Sequence, residues 1–186
     1  MILNIHSILP RSMANGPGSR MAIWFQGCPL ACPGCFNQDT HDFEGGHKIP
    51  LDEIYNQIER QLQEIEGITI SGGEPFAQSD ALYQLVCQVK HNTDLSILVF
   101  SGYTLNEIIK QKNGAGILEN IDVLIAGRYI DSMHLGYGLR GSSNQKVHLL
   151  SSRYTMEEIS STPLCEIIID KKGNMILSGV EPIRSN

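Results

Sequence analysis

Trp24-Phe25-Gln26-Gly27-Cys28-Pro29-Leu30-Ala31-Cys32-Pro33-Gly34-Cys35-Phe36-Asn37 decides how the rest of the chain is read. Three cysteines fall within eight residues in the spacing C-x3-C-x2-C, among two prolines and two glycines. Proline removes a backbone donor and glycine weakens both regular structures, so this is neither a helix nor a strand interior. It reads as a loop wrapped around something held by sulfur. The preceding Arg20-Met21-Ala22-Ile23-Trp24-Phe25-Gln26 is apolar-rich and free of Gly and Pro, which predicts a buried strand. The cysteines then lie just past a strand end, where α/β proteins build ligand sites.

Soft thiolates select zinc, copper(I) or iron–sulfur clusters. A closed zinc site needs four ligands, and His41 or His47 could complete a Cys3His set. A [4Fe-4S] cluster on Cys28, Cys32 and Cys35 instead leaves one iron open, the mark of a catalytic site. A small molecule bearing an amine and a carboxylate could chelate that iron.

Outward from the loop, strand and helix signals alternate. Residues 1–9 alternate weakly, as a strand does, and Asn15-Gly16-Pro17-Gly18-Ser19 is a turn-rich connector. Residues 38–49 are polar and Gly-rich. Leu51, Ile54, Tyr55, Ile58, Leu62 and Ile65 recur at helical spacing, predicting an amphipathic helix over 51–65. Ile68–Ile70 reads as a strand ending in Ser71-Gly72-Gly73-Glu74-Pro75, and Ser79 as the N-cap of a helix over 80–90. Leu95–Phe100 is a third buried strand, ending at Ser101-Gly102-Tyr103. Thr104-Leu105-Asn106-Glu107 is a capping box opening a helix to about 111. Ile121–Ile125 is a fourth strand, running into Ala126-Gly127-Arg128-Tyr129. Residues 130–144 read as a polar loop, Met156–Ile159 as one helical turn, and Cys165–Asp170 with Met175–Leu177 as a hairpin turning at Gly173. The pattern gives an α/β fold with a mostly parallel sheet, and four strand ends converging on one face.

C-x3-C-x2-C followed by an aromatic, with Ser-Gly-Gly-Glu-Pro after the next strand, resembles the radical S-adenosylmethionine (SAM) enzymes. The resemblance implies a partial (β/α)6-type barrel, a [4Fe-4S] cluster on Cys28, Cys32 and Cys35, and SAM bound by Gly34, Cys35, Phe36, Ser71, Gly72, Gly73, Glu74, Ser101 and Arg128, with Phe36 beside the adenine. Asn15-Gly16-Pro17-Gly18-Ser19-Arg20 and Arg140-Gly141-Ser142-Ser143-Asn144-Gln145 are similar to the opening and closing signatures of one branch, the anaerobic ribonucleoside-triphosphate reductase activating proteins. That branch commonly carries Asp-Gly-Lys where this chain has Ala126-Gly127-Arg128. The implied reaction is reductive cleavage of SAM to a 5′-deoxyadenosyl radical, which takes a hydrogen from a glycine of a partner glycyl-radical enzyme. A low-potential flavodoxin or ferredoxin would supply the electron. Arg20, Arg140 and Asn144 are candidate docking residues. The resemblance divides the chain into a radical SAM domain, 1–150, and a C-terminal extension, 151–186, packed on the same domain. Two other readings remain open here: a radical SAM enzyme acting on a small molecule, as 7-carboxy-7-deazaguanine synthase does, and a non-catalytic iron–sulfur redox protein.

Composition sets the bounds. With 186 residues, 41% hydrophobic and 18% charged, a single soluble domain is expected. A net charge of −6 disfavours direct nucleic-acid binding. There is no apolar run of about 18 residues to span a membrane, and the first residues carry no secretory signal pattern, so a cytoplasmic location is expected. Cys87 and Cys165 sit in apolar stretches and read as buried, inert thiols.

Overall fold

The apolar run before the cysteines forms the expected strand and lies near the centre of a sheet. In the computed structural model, which describes residues 1–169 and 172–180, β1 (Ile2–Ser12) runs antiparallel to β2 (Arg20–Phe25), and β3 (His47–Pro50) pairs antiparallel with the first residues of β1. There follow α1 (Leu51–Glu59), β4 (Gly67–Gly72), α2 (Ser79–Asn92), β5 (Ser96–Ser101), α3 (Leu105–Ile109), α4 (Gly114–Asn120) and β6 (Val123–Ala126). A hairpin of β7 (His134–Tyr137) and β8 (Arg140–Ser142) leads to β9 (Lys146–Leu149), and α5 (Met156–Ser160) to a second hairpin, β10 (Cys165–Ile169) and β11 (Met175–Gly179). Seven strands form one mixed sheet in the order β3-β1-β2-β4-β5-β6-β9. The four strands β2, β4, β5 and β6 are mutually parallel, so their C-terminal ends share one edge. The α/β class read from the alternation holds, but the sheet is mixed rather than mostly parallel: β3-β1, β1-β2 and β6-β9 pair antiparallel.

Packing follows the two-residue period of the strands. Met21, Ile23, Phe25, Ile68, Ile70, Ile97, Val99 and Leu124 face the helices, where Leu51, Ile54 and Ile58 of α1 and Leu82, Leu85, Val86 and Val89 of α2 complete the main core. Each fully buried aliphatic side chain stabilises by about 1.5–3 kcal/mol. The alternate residues Leu98, Val123 and Ile125 point the other way and pack with Leu139 and Ile159 in a second cluster. Sheets covered on both faces give continuous apolar runs, which is why β5 and β6 read so clearly.

Several expectations need correction. The helix from Leu51 stops at Glu59, not 65; beyond it Gln61 N–H and Glu64 N–H reach back only three residues, to Ile58 and Gln61, and Leu62 is exposed. Ser79 is not a cap: a 3-10 turn, Pro75–Gln78, runs into α2, and Glu74 caps that turn instead. The capping box at Thr104 and Glu107 is present, as is the helical turn at Met156. The polar stretch 38–49 contains the edge strand β3, and 130–144 contains the β7–β8 hairpin. The two strands of the hairpin at the C-terminal end pair as read, and Asp170 and Lys171 lie outside the described residues. Cys87 and Cys165 are half-buried rather than buried. Among the described residues no helix is long and apolar enough to cross a membrane.

Candidate functional site

Four backbone segments meet where the parallel strands end. Cys28, Cys32 and Cys35 follow β2, Ser71–Glu74 close β4, Ser101 and Gly102 close β5, and Gly127 follows β6; all line one cavity of about 880 Å³, counted with its open mouth. The cysteine loop is pinned at its neck, where Gly27 N–H donates to Thr40 O at 2.7 Å and Cys28 N–H to His41 O at 3.0 Å. The glycine turn is stitched to the same neck: Gly73 N–H donates to Phe25 O at 2.8 Å and Glu74 N–H to Gly27 O at 3.0 Å. This approach explains both glycines. Gly72 has φ +100, and a Cβ there would lie 2.4 Å from Phe25 O; a Cβ on Gly73 would lie 2.4 Å from Gly27 O.

The thiols of Cys28 and Cys35 both feel their surroundings. Burial pushes the Cys28 thiol up; the backbone amides of Leu30 and Ala31 pull it down, and the nearby Glu74 and Cys32 push it up again. Ala31, held in the left-handed region at φ 45, shapes the turn that carries these amides. Burial also raises the Cys35 thiol, against the Asn37 amide and together with Cys32 and Cys28. Thiolates in one loop, with backbone donors directed at two of them, suit an iron–sulfur cluster, whose sulfurs are commonly hydrogen-bonded. Among the described residues, no three His, Cys, Asp or Glu side chains lie close enough to enclose a single ion; thiolates on separate irons of a cluster need not. His41 lines the cavity, whereas His47 sits in the edge strand β3.

Glu74 is wholly buried and its carboxylate is a clamp. Oε1 accepts from Phe76 N–H at 3.0 Å and Ser101 Oγ–H at 2.9 Å, and Oε2 accepts from Gly102 N–H at 2.8 Å. It thereby ties the end of β4 to the end of β5. Burial raises its pKa from 4.5 to about 7, against the donors at Phe76, Gly102, Ser101 and Tyr103. The folded chain therefore holds this proton more tightly than the unfolded chain does. The stability so contributed is full below about pH 4.5 and is lost as pH climbs through 7, a change of about 3 kcal/mol. Urea unfolding of the metal-free protein from pH 4.5 to 8 should show this decline, and Glu74→Gln should flatten it while losing the acceptor for Gly102. Parallel profiles for the two proteins would show that Glu74 does not titrate in this range.

Trp24, Leu30, Phe36, Phe100, Leu139 and Val180 supply the apolar wall. Of the residues read from the sequence as cofactor contacts, Cys35, Phe36, Ser71, Gly72, Gly73, Glu74 and Ser101 line the cavity. Gly34 and Arg128 do not. Arg128 is drawn off to Glu107, Nη1 to Oε1 at 3.1 Å, and its guanidinium lies 5.7 Å from the Tyr103 ring centre. Arg20 is a correction: it is fully buried at the opposite end of β2, so it cannot touch a partner. Arg140 and Asn144 are half-buried, and Asn144 Nδ2 donates to Arg128 O at 2.8 Å.

Two residues that the sequence displayed without a role belong here. Gln145 accepts from Gly141 N–H at 2.9 Å and donates to Gly127 O at 2.9 Å, so the Arg140–Gln145 signature is a self-bonded turn that fixes the end of β6. Tyr129 stands edge-on to Phe36, ring centres 5.8 Å apart, and backs the aromatic wall. Tyr129 has no spacing signal, and the signature that contains Gln145 does not say what it holds; only the fold brings them to the cysteines.

A family profile described as "4Fe-4S single cluster domain" matches residues 14–148. The chain is similar to curated proteins described as anaerobic ribonucleoside-triphosphate reductase-activating protein. That of Vibrio cholerae is 35% identical over 154 residues, covering 78% of this chain and 97% of the relative. That of Escherichia coli K12 is 32% identical over 157 residues, covering 80% and 99%. That of bacteriophage T4 is 29% identical over 150 residues, covering 78% and 93%. The crystal structure of QueE from Escherichia coli superposes with a TM-score of 0.46 at 20% identity, covering 56% of this chain and 54% of that one, too slight a likeness to argue from.

Proposed function

This chain belongs to the anaerobic ribonucleoside-triphosphate reductase-activating protein family, with its 4Fe-4S single cluster domain, and from that premise we propose that it is a radical SAM enzyme generating a glycyl radical on an anaerobic ribonucleotide reductase. The observation that carries this is the meeting of Cys28, Cys32 and Cys35 with the Ser71–Glu74 turn in one cavity at the ends of parallel strands. A [4Fe-4S] cluster held there would supply, with SAM, reductive C–S bond cleavage and hence hydrogen-atom abstraction.

The chain's own residues have narrower tasks. Cys28, Cys32 and Cys35 would hold the cluster as thiolates. Phe36, backed by Tyr129, offers an aromatic face to an adenine. Ser71, Gly72 and Gly73 would offer backbone to the methionyl end, while Glu74 and Ser101 keep β4 and β5 at a fixed separation. Leu30, Phe100, Leu139 and Val180 exclude water, which would otherwise quench or divert a radical. Arg128 is left out of this set because its charge is spent on Glu107. The sheet is read as part of a (β/α)6-type barrel comprising 1–150, with 151–186 as an extension on the same domain, of which 170–171 and 181–186 lie outside the described residues. A low-potential flavodoxin or ferredoxin would be the donor, and the cytoplasm the compartment.

The test is direct. The anaerobically reconstituted protein, given dithionite and SAM, should form 5′-deoxyadenosine; with the anaerobic reductase of the same source present, a glycyl-radical resonance should appear on the reductase. Cleavage of SAM with no resonance on that partner overturns the activating role, and absence of cleavage overturns the radical SAM chemistry.

A further inference from the structure

A second cleft of about 960 Å³, counted with its open mouth, adjoins the cysteine cavity and shares Trp24, Phe36, Asn37 and Gly179 with it. Its long walls are two strands: residues 6–9 of β1 on one side and 176–179 of β11 on the other. Four consecutive residues of each strand meet the cleft. That is more than one face of a strand alone supplies, so backbone as well as side chains borders the gap, although at His6 and Ser7 the β-bulge between Ile5 and Ser7 contributes to this. β3 covers the outer edge of β1 only through Ile2–Ile5, and β11 pairs with β10 alone. Among the described residues, neither edge has a strand partner along the cleft.

The gap is held at a set width. Glu166 on β10 accepts from Met13 N–H at 2.9 Å and from the Ser12 hydroxyl, and Asn15 Nδ2 donates to Ser178 Oγ at 2.6 Å, which fastens the hairpin to the end of β1. Ile176 and Leu177 stay 45% and 47% exposed on the β11 side, and Phe36 41% exposed where the cleft enters the cavity. Unpaired N–H and C=O groups along a strand edge are a template for an added strand. Two such edges facing each other can bond both sides of one extended segment. Residues 165–180 lie beyond the 14–148 matched by the family profile, so this wall is additional to the domain it serves.

We propose that the cleft between β1 and β11 receives an extended, uncharged segment of the reductase as an added β-strand and leads it past Phe36 into the cysteine cavity. The proposal rests on the activating role given above. The occupant follows from continuity: the cleft opens into the cavity where the hydrogen is to be taken, and a segment bonded through its backbone can present a residue without a side chain.

Hydrogen exchange on the cluster-loaded protein, with and without the purified anaerobic reductase, tests this. Added protection should appear in both residues 6–9 and 176–179. Ile176→Asp with Leu177→Asp should weaken reductase binding and radical yield about tenfold or more, since charge would be buried against apolar surface. It should leave cluster content and reductase-independent SAM cleavage unchanged. Met175→Asp, on the same strand but outside the cleft, should behave as wild type. Wild-type activation by the double variant, or protection elsewhere, overturns the docking mode while leaving the activating role intact. Edge protection that appears without reductase and grows with protein concentration assigns the cleft to a second copy of this chain instead. A wild-type protein that cleaves SAM but neither binds nor activates the reductase removes the activating role, and this proposal with it.

Discussion

Cys32→Ser protein, assembled anaerobically, is expected to be colourless, to carry background iron and sulfide, and to form no 5′-deoxyadenosine. The hydroxyl of serine is far less acidic than a thiol and a harder donor, so it cannot take the place of a thiolate on iron. Two thiolates then remain for a core that needs at least three protein ligands to stay in place. The fold should survive. Cys32 lies in a loop outside the sheet, half-exposed, and the neck of that loop is closed by backbone bonds from Gly27 and Cys28. Thermal melts of the metal-free variant and metal-free wild type should agree to within about 0.5 kcal/mol. Cys87→Ser, on α2 and outside the cavity, should retain colour and turnover. A brown, active Cys32→Ser protein would end the assignment of this loop.

Arg20→Leu should be among the most destabilising single changes in the chain, at about 3–5 kcal/mol. Arg20 is fully buried, and its guanidinium donates to Thr69 Oγ1 at 2.8 Å, Ser96 Oγ at 2.8 Å, Ile68 O at 2.7 Å and Tyr154 Oη at 3.0 Å. These acceptors belong to β4, β5 and the segment before α5, so one planar fork laces three parts of the fold at the end of the sheet remote from the cysteines. Burial lowers its pKa, while the Tyr154 hydroxyl and the charges of Asp122 and Glu66 oppose the shift. Leucine keeps the bulk and abandons every acceptor in a fully buried site. For a chain of this size, each kcal/mol moves Tm by about 2–4 °C, so a fall near 10 °C is expected. Lysine, with a point charge in place of a fork, should recover only part of it. A melt within 2 °C of wild type would show that the network contributes little.

Arg20 also marks the limit of what the sequence discloses. The motif around it is visible, and so is its place at the start of a strand. Which end of that strand meets the ligand follows only from parallel pairing, β2 on β4 in the register Arg20↔Gly67 to Phe25↔Gly72. That register carries the cysteines and Gly72 to one edge and the arginine to the other. The central strands were legible because both their faces are buried and the apolar run is unbroken. β3 and β9 were not, because edge strands are short and half-polar and differ little from loops in composition. α4 was hidden by Asn113-Gly114-Ala115-Gly116, which signals a break; burial of Ile117 in the main core overrides it. In the site, Cys28, Cys32, Cys35 and the Ser71–Glu74 turn announce themselves by residue type and spacing. Gln145 and Tyr129 do not, since what they do depends on partners far away in sequence. Arg128 shows the converse: its charge suited a ligand, but Glu107 of the α3 capping box sits nearer.

The neck that joins Gly27 and Cys28 to Thr40 and His41, and the glycine turn to Gly27, is made of polypeptide alone. The footing of the loop is therefore fixed by main chain and not by sulfur, so the thiols are free to be specified by what they ligate and carry no duty in anchoring the loop.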